Sequence, residues 1–345
     1  MAAICEAHSR GETATVIQPT EHEHFDLFAF QDPFGLRKAI VPVLLNDADG
    51  VTRGMGTAFH VDGWGTFLTA DHVIDSVRQR SKRVSTSHGD VRYEMTHPDE
   101  CPILLFGMGV VLGKPSVPAD ALGHVTAIRS PIQQRSNPLA ALAGRTEFEV
   151  ASDVAVMEVG NSVPENMSGT LAVRFSGVGP RVGDLVVAIG FPDLDCQPID
   201  EEGIRYLLSD GMSAAYGRII ALHPNGVRDQ ATPVIEVEAK WPSGMSGGPV
   251  FNEHGQVIGL VSRSWSDVGY AACFSMMPWL RAWSDSVDAA NPCWRLGWGV
   301  ISDDNHLVGF HKNKDDAVRH QSALGFESVI VFGSSRIGSG DFMPG

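Results

Sequence analysis

The sequence feature that most constrains the fold is a series of short apolar runs separated by turn-forming residues. From Lys38 onward the runs are rich in Val, Ile, Leu and Phe, and Gly, Pro, Asn and Asp lie between them. Apolar runs of about four to eight residues that are bounded in this way are typical of buried β-strands. The runs before Pro164 are AIVPVLL, GTAFHV, GTFLTA, ILLFGMGVVLG and DVAVMEV, and those after it are LAVRF, DLVVAIGF, GRIIAL, VIEVEA, GPVF, QVIGLVS and GYAACFS. Two sets of about six strands predict a mainly β fold with two six-stranded antiparallel barrels.

The rest of the chain predicts smaller elements around these barrels. Residues 1–36 are polar and show no sustained periodicity, which indicates an N-terminal arm. Trp279, Leu280 and Trp283 recur at helical spacing, so we expect a helix to close the second barrel. After it, LGWGVI, LVGFH, DDAVRHQSAL and ESVIVF predict strand, strand, helix and strand, a small C-terminal α+β module. The predicted boundaries are 1–36 for the arm, 37–287 for the two-barrel domain (barrel one about 37–160, barrel two about 161–275, closing helix 276–287) and 288–345 for the module.

Composition and charge exclude several functional classes. The 345 residues include 26 basic and 41 acidic side chains, which gives a formal net charge of −15. Proteins that bind nucleic acids by neutralising phosphates are basic, so we expect no nucleic-acid partner. No apolar run approaches the about 18 residues of a membrane-spanning helix, and the start MAAICEAHSRGE lacks the apolar region of a signal peptide. These features predict a cytoplasmic protein with no membrane partner.

The cysteine pattern predicts reduced thiols. The five cysteines, at positions 5, 101, 196, 273 and 293, are odd in number and widely scattered. No two of them have the short spacing of a zinc site, and an odd, scattered set does not suit a disulfide framework. We therefore expect buried thiols and no metal.

The segment Gly244-Met245-Ser246-Gly247-Gly248 has the residues that a serine nucleophile requires. Such a serine needs an exposed oxygen, two backbone N–H groups directed at the developing oxyanion, and glycines where a side chain would block the substrate. The N–H groups of Gly244 and Ser246 are the candidates for this oxyanion hole. A glycine-rich hairpin without chemistry is the alternative interpretation.

Two upstream residues have the positions that a general base and its orienting acid require. His72 follows the apolar run GTFLTA, so it lies at the end of a predicted strand, where one ring nitrogen can face the serine. Asp153 opens the run DVAVMEV, where its carboxylate can accept from the other ring nitrogen. Taken alone, each is ordinary: most histidines are structural, and an Asp before a strand is common turn chemistry.

The order of these residues along the chain separates two classes of hydrolase. Residues His72, Asp153 and Ser246 follow the order of chymotrypsin-type proteases, whereas α/β-hydrolases have the order Ser, Asp, His. The G-x-S-x-G pattern around Ser246 also fits an α/β-hydrolase, and histidines do occur downstream. That fold requires crossover helices around the serine, and the flanking runs predict strands instead. The sequence therefore favours the first class.

These segments resemble the trypsin-like serine proteases with two barrels, and most closely their HtrA (Deg) branch. The resemblance runs from about residue 39 to 283 and rests on GMGTAFHV with FLTADHVI, SDVAVMEV, VGDLVVAIGFP, and EVEAKWPSGMSGGPVFNEHGQVIGLVS with GYAACFSMMP. It implies a chymotrypsin-like fold in which His72 is the general base, Asp153 the orienting acid and Ser246 the nucleophile. It also implies that Ser262 hydrogen-bonds the triad carboxylate and begins the strand that pairs with the substrate.

The chain also departs from the family pattern. Val73 and Met245 stand where secreted relatives have Cys after the histidine and Asp before the serine, and Met cannot pair with a newly formed N-terminus. No zymogen cleavage is therefore implied. HtrA-type enzymes usually add a PDZ domain of roughly 90 residues, whereas the stretch after residue 287 is shorter. This module is a candidate contact for a regulatory partner, or simply a stabilising appendage.

The resemblance predicts a serine endopeptidase that acts on protein or peptide substrates through an acyl-enzyme and needs no cofactor. The alternative is a catalytically silent protein with a protease fold that binds or scaffolds a partner. In this family the residue at the position of Lys240 lies near the base of the primary specificity pocket, and Arg263 directly follows Ser262. Two positive charges would favour an acidic residue before the scissile bond. If Lys240 instead turns outward, Ala271 and Ala272 would line an apolar pocket for small side chains.

Overall fold

The computed structural model describes residues 27–29, 35–46, 52–78, 82–85, 90–95, 101–108, 116–118, 121–135, 142–143, 147–159, 169–171, 173, 178–192, 194–198, 205–208, 211–228, 231–277, 280, 294–336 and 341–344. In chain order the strands up to the middle of the chain are β1 Leu27–Ala29, β2 Ile40–Asn46, β3 Thr52–His60, β4 Thr66–Thr69, β5 Lys82–Ser85, β6 Asp90–Glu94, β7 Ile103–Leu105, β8 Ser116–Pro118, β9 Leu122–Arg135, β10 Glu147–Val150 and β11 Ala155–Val159. The later strands are β12 Leu185–Gly190, β13 Asp195–Pro198, β14 Arg205–Leu208, β15 Ser213–His223, β16 Val234–Val237, β17 Pro249–Asn252, β18 Val257–Trp265, β19 Val268–Cys273, β20 Trp294–Ser302, β21 Leu307–His311, β22 Ser328–Arg336 and β23 Phe342–Pro344.

Among the described residues, helices are few and short. The α-helices are α1, Asp75–Arg78, and α2, Lys314–Ala323, and single 3-10 turns cover Leu36–Lys38, Asp71–Ile74 and Phe274–Met276. No helix among the described residues has both the length and the apolar character to cross a membrane.

Barrel one is a closed antiparallel sheet. Its strands follow the order β2-β7-β9-β11-β4-β3, and pairing of β2 with β3 closes the ring. Almost fully buried apolar side chains pack against this sheet, among them Phe59, Phe67, Leu68, Leu104 and Ile128. Further strands extend this sheet outside the ring: β13, β14 and β8 continue from β3, and β6 and β10 pair with β9.

Barrel two repeats the same closed arrangement. Its strands follow the order β15-β12-β17-β18-β19-β16, and β15 also pairs with β16. A separate apolar cluster fills it, with Val186, Ile235, Val250, Val261 and Ala271 among its members. The predicted mainly β fold with two six-stranded barrels is therefore confirmed.

Some elements differ from the sequence-based expectation. The 14-residue strand β9 was not identified from the sequence although it completes barrel one. Within the predicted arm, β1 pairs with β15 and adds a strand to the sheet of barrel two. From the run LAVRF the described residues show one isolated bridge, between Val173 and Val257. Most of the predicted closing helix, 276–287, lies outside the described residues.

The C-terminal residues form a four-stranded antiparallel sheet in the order β21-β20-β22-β23, with α2 packed against it. This module contacts the turn between β3 and β4 of barrel one. The indole of Trp64 stacks on Phe310, with ring centroids 5.3 Å apart, and the Arg295 guanidinium lies 4.4 Å above the same indole. Nη1 of the Arg295 guanidinium also donates to the carbonyl oxygen of Gly63 at 3.1 Å. The module is therefore joined to the turn that leads into β4.

Candidate active site

Each of the three residues predicted to form the triad lies where a strand of a barrel begins or ends. His72 lies in the 3-10 turn Asp71–Ile74, which directly follows β4. Asp153 precedes β11, the strand that pairs with β4 in the register Ala155 to Thr69. Ser246 lies in the turn before β17 of barrel two. The pairing of β11 with β4 therefore brings the first two residues together, although they are far apart in sequence.

The His72 side chain is held by the Asp153 carboxylate. His72 Nδ1 lies 2.9 Å from Asp153 Oδ1 and 3.0 Å from Oδ2. The backbone N–H of His72 also donates to Oδ1, at 3.0 Å. Because the carboxylate accepts, Nδ1 carries the proton and Nε2 is left as the basic nitrogen. This is the tautomer that a general base requires.

The Asp153 carboxylate is buried, and both of its oxygens accept hydrogen bonds. The Ser262 hydroxyl donates to Oδ2, and the backbone N–H of Asp153 donates to Thr232 Oγ1 at 2.7 Å. Burial on its own would raise the pKa of Asp153, but hydrogen bonds from His72 and Ser262 and the charge of His72 outweigh it, so the pKa lies below its usual value. The group is therefore an ionised acceptor at neutral pH.

The turn that carries Ser246 is fixed against barrel one. Thr57 of β3 donates its N–H to the Ser246 carbonyl oxygen at 2.8 Å and its hydroxyl to the Gly244 carbonyl oxygen at 2.8 Å. Gly247 has a φ of +84°, and a Cβ there would lie 2.1 Å from the Thr57 carbonyl oxygen. Only glycine fits this close approach in the left-handed region. The glycine that the sequence placed after the serine is therefore needed to pack the two barrels together.

Two backbone amides in this turn, those of Gly244 and Ser246, are candidates for an oxyanion hole. Within the described part of the chain, no hydrogen-bond acceptor takes the N–H of Gly244 or of Ser246, and both residues are partly exposed. The Ser246 hydroxyl donates to the Ser262 carbonyl oxygen at 3.4 Å. Unpaired amides beside an exposed hydroxyl form the arrangement that can stabilise a developing oxyanion.

Comparison with family models identifies the fold family. The model of the trypsin-like peptidase domain matches residues 56–260, which is more than half of the chain. The chain belongs to this family. The match covers His72, Asp153 and Ser246, whose spatial arrangement is described above.

Known proteins similar to this trypsin-like chain include proteases of bacteria. A probable periplasmic serine endoprotease, DegP-like, from Hahella chejuensis is 34% identical over 89 residues, which cover 26% of this chain and 16% of that protein. The chain thus matches about a sixth of the length of this curated relative. Among solved structures, a serine endoprotease from Yersinia pestis is 15% identical with a TM-score of 0.39, covering 90% of this chain and 80% of that one. The active form of a protease from M. tuberculosis is 17% identical with a TM-score of 0.38, covering 73% and 83%.

The predicted specificity residues of the trypsin-like domain take different positions. Lys240 is half-buried in the segment before the serine turn, and Arg263 is half-buried in β18. Arg263 pairs with Tyr270 after a register shift in β18, and Ala271, the residue after Tyr270, belongs to the core of barrel two. Because successive residues of β19 face opposite sides, Tyr270 and its partner Arg263 face away from that core. The two cations are therefore on separate elements of the domain.

Sequence reasoning missed Trp241, which lies between Lys240 and the serine turn. Its side chain is buried, at 3% exposure, and a Cβ on Gly269 would lie 2.4 Å from the indole ring. Its backbone N–H donates to Ser264 Oγ at 3.0 Å, and the same hydroxyl donates to its carbonyl oxygen at 2.7 Å. The indole thus fills the space between the segment before Ser246 and strands β18 and β19. A large aromatic residue before a glycine-rich turn was the available signal.

Proposed function

We propose that this trypsin-like chain is a serine endopeptidase in which His72, Asp153 and Ser246 form the catalytic triad. The observation that supports this most directly is the His72–Asp153–Ser262 hydrogen-bond chain, which sets the imidazole tautomer. The partly exposed Ser246 bonds to the carbonyl oxygen of the same Ser262. A hydroxyl, a correctly oriented base and two open amides are the parts that acyl transfer requires.

In the proposed reaction, Ser246 Oγ attacks the carbonyl carbon of a peptide bond. His72 Nε2 takes the hydroxyl proton, and the N–H groups of Gly244 and Ser246 bind the oxyanion of the tetrahedral intermediate. The C–N bond then breaks as the imidazolium returns the proton to the leaving amine, which yields an acyl-enzyme. Water, deprotonated by His72, attacks the ester and releases the acid and the free serine. No metal or organic cofactor takes part in this mechanism.

The first step requires a change at Ser246. Its hydroxyl bonds to the Ser262 carbonyl oxygen in this structure, and no hydrogen bond joins it to His72 among the described residues. The 3.4 Å distance and a neutral acceptor make this a weak bond. Rotation of the side chain toward Nε2 as substrate binds therefore costs little, and geometry of this kind commonly tightens in the substrate complex.

Substrate binding is proposed at the open edge of β18. Strand β17 pairs with β18 only as far as Leu260, and Val261 bonds to the turn at Gly247 and Gly248. From Ser262 onward, the described strands cover β18 only on the side of β19. An extended peptide can add to such an edge through main-chain hydrogen bonds. This edge begins at Ser262, next to the proposed nucleophile, so it would present a peptide bond to Ser246.

Two alternatives for the residue before the scissile bond follow from the sequence. An acidic preference would depend on Lys240 and Arg263, and a preference for small side chains on an apolar pocket. The buried indole of Trp241 against Gly269 supports the second alternative, because it leaves little depth beside Ser264. We therefore propose substrates with a small residue at this position.

We also propose a cytoplasmic setting for the protein, with the C-terminal module as the candidate contact for a regulatory partner.

A catalytically silent protein with the same fold is the alternative function. An activity-based fluorophosphonate probe separates the two, because it reacts only with a serine that a neighbouring base activates. We expect the probe to label the wild-type chain and not Ser246→Ala. Ser243→Ala, which removes an exposed hydroxyl three positions earlier, is the matched control and should be labelled like the wild type. Absence of labelling in folded wild-type protein would favour the silent alternative.

A further inference from the structure

A second buried carboxylate belongs to the residue directly before the proposed general base. Asp71 begins the 3-10 turn that carries His72, and its side chain is only 7% exposed. Ser130 of β9, itself fully buried, donates its hydroxyl to Asp71 Oδ1 at 2.6 Å. The proposed mechanism gives Asp71 no role, yet burying a carboxylate at this position costs free energy unless the charge is compensated.

The compensating charge is Arg78, the last residue of α1. Its Nη1 lies 2.6 Å from Asp71 Oδ2, and its side chain is 11% exposed. Nη2 of the same guanidinium pairs with Asp75, which is mostly exposed. The turn Asp71–Ile74 runs directly into α1, so this ion pair joins the two ends of a single short segment. His72 lies within the segment that the pair closes.

We propose that Asp71 and Arg78 form a positioning pair that holds the His72 turn against β9 and sets the charge around the imidazole. The proposal rests on the proposed peptidase function, because it concerns the residue that acts there as the base. Asp71 acts through His72 and does not touch the substrate.

Several charged side chains surround the turn that carries His72. Asp153 faces the imidazole, and the Ser262 hydroxyl that donates to Asp153 is uncharged. Asp71, Asp75 and Arg78 lie in the turn and in α1. Burial, together with the charge of Asp153, raises the pKa of Asp71 above its usual value, and Arg78 and Ser130 oppose this only in part. The guanidinium therefore helps to keep Asp71 ionised. The pair as a whole is nearly neutral, and removing one member leaves a buried charge that the imidazole senses.

The test compares Asp71→Asn with the double variant Asp71→Asn and Arg78→Gln. In the single variant a negative charge beside His72 is lost while Arg78 stays, so the protonated imidazole is less favoured. We expect the acidic limb of the rate profile to move to lower pH by about 0.5 to 1 unit, and the plateau rate to fall roughly tenfold. The double variant removes both charges, and its limb should return to within about 0.2 unit of the wild type. Arg78→Lys keeps the charge and should leave the limb unchanged.

Rates are measured as cleavage of a peptide substrate and as fluorophosphonate labelling of Ser246, both from pH 5 to 9. Arg92→Gln, which breaks an ion pair with Glu158 elsewhere in barrel one, is the matched control and should not move the limb. An unmoved limb in folded Asp71→Asn, or a double variant displaced as far as the single one, would overturn the proposal. If Asp71→Asn does not fold, Arg78→Gln takes its place: loss of the cation beside Asp71 should move the limb to higher pH, and an unmoved limb in folded Arg78→Gln would overturn the proposal. Wild-type protein that neither cleaves nor is labelled would count against the proposed function instead.

Discussion

Lys312 of the C-terminal module forms an ion pair with Asp62 of barrel one, across 250 positions of the sequence, with Nζ 2.9 Å from Oδ2. Asp62 is 2% exposed, whereas Lys312 remains 46% exposed. The same carboxylate accepts from the hydroxyl of Thr66 at 2.6 Å and from the N–H of Trp64 at 2.8 Å. A buried anion at the turn between β3 and β4 is thus satisfied in part by the appended module.

We expect Lys312→Met to lower the free energy of unfolding by about 1 kcal/mol at pH 7, because the lysine is half-exposed and solvent screens the pair. Thermal unfolding of both proteins measures this. Lys314→Met is the matched control, since the described residues place Lys314 over the Trp298 ring and not beside a buried acid. Equal stability of Lys312→Met and the wild type would show that the hydrogen bonds alone satisfy Asp62.

The acid dependence of stability should reveal Asp62 directly. Burial on its own raises its pKa, but His60, Lys312 and Thr66 outweigh this and hold the pKa far below the usual value of 3.8. A carboxyl with a depressed folded-state pKa stabilises the fold above its unfolded pKa, and the contribution is lost as the pH falls below that value. We therefore expect the wild type to lose more stability than Asp62→Asn between about pH 5 and pH 2. Parallel denaturant titrations that fall equally in both proteins would contradict this.

Ser246→Ala and His72→Ala should each lower turnover by several orders of magnitude and leave the unfolding temperature nearly unchanged. The reason is that triad members act as one unit, so removal of either leaves only binding and oxyanion stabilisation. Steady-state cleavage of a good peptide substrate measures the loss. Cleavage near the wild-type rate by His72→Ala would remove the basis of the triad assignment.

Asp153→Asn should fold and yet lower turnover by about 10⁴-fold at neutral pH. An amide can donate to Nδ1 and so favours the wrong tautomer of the imidazole. Ser262→Ala is an informative companion, because it removes one hydrogen bond to the carboxylate and keeps the charge. In the wild type we expect the rate to fall at acidic pH, because the general base becomes protonated. A flat profile from pH 5 to 8 in Asp153→Asn with high activity would contradict the role of Asp153.

Deleting the residues after Ser286 should leave a folded two-barrel domain that a fluorophosphonate still labels. The module touches barrel one at the turn before β4, so we also expect a lower unfolding temperature than that of the full chain. An insoluble product would show that the module is part of the folding unit. A labelled and soluble product supports the predicted boundary near residue 287.

Peptide-library profiling tests the proposed pocket. We expect cleavage after Ala, Ser or Val to exceed cleavage after Phe or Leu by about tenfold or more, since Trp241 occupies the space beside Gly269. Trp241→Ala should raise cleavage after larger residues, and Trp265→Ala, which changes an exposed indole on β18, is the control. A preference for Glu or Asp that disappears in Lys240→Ala would instead establish the acidic alternative.

Much of the architecture could be predicted because it depends on local patterns. Strands such as β2, β12 and β19 are buried on both sides or nearly so, and continuous apolar runs mark them. Strand β9 was not predicted, because buried and exposed residues alternate along it: Val125 and Ala127 are buried, whereas His124 and Thr126 are exposed. It also contains polar residues and Pro131, so no apolar run indicates it.

By itself, the sequence determined the two-barrel architecture and the three residues of the candidate triad, because strand periodicity and the order His72, Asp153, Ser246 are both properties of the linear chain. Only the tertiary structure decided which residues from distant parts of the chain meet. Asp71 with Ser130, Asp62 with Lys312 and Trp241 with Gly269 are contacts between distant segments. Their chemistry depends on burial and on partners brought together by closing the barrels, and neither is encoded in the spacing of residues along the chain.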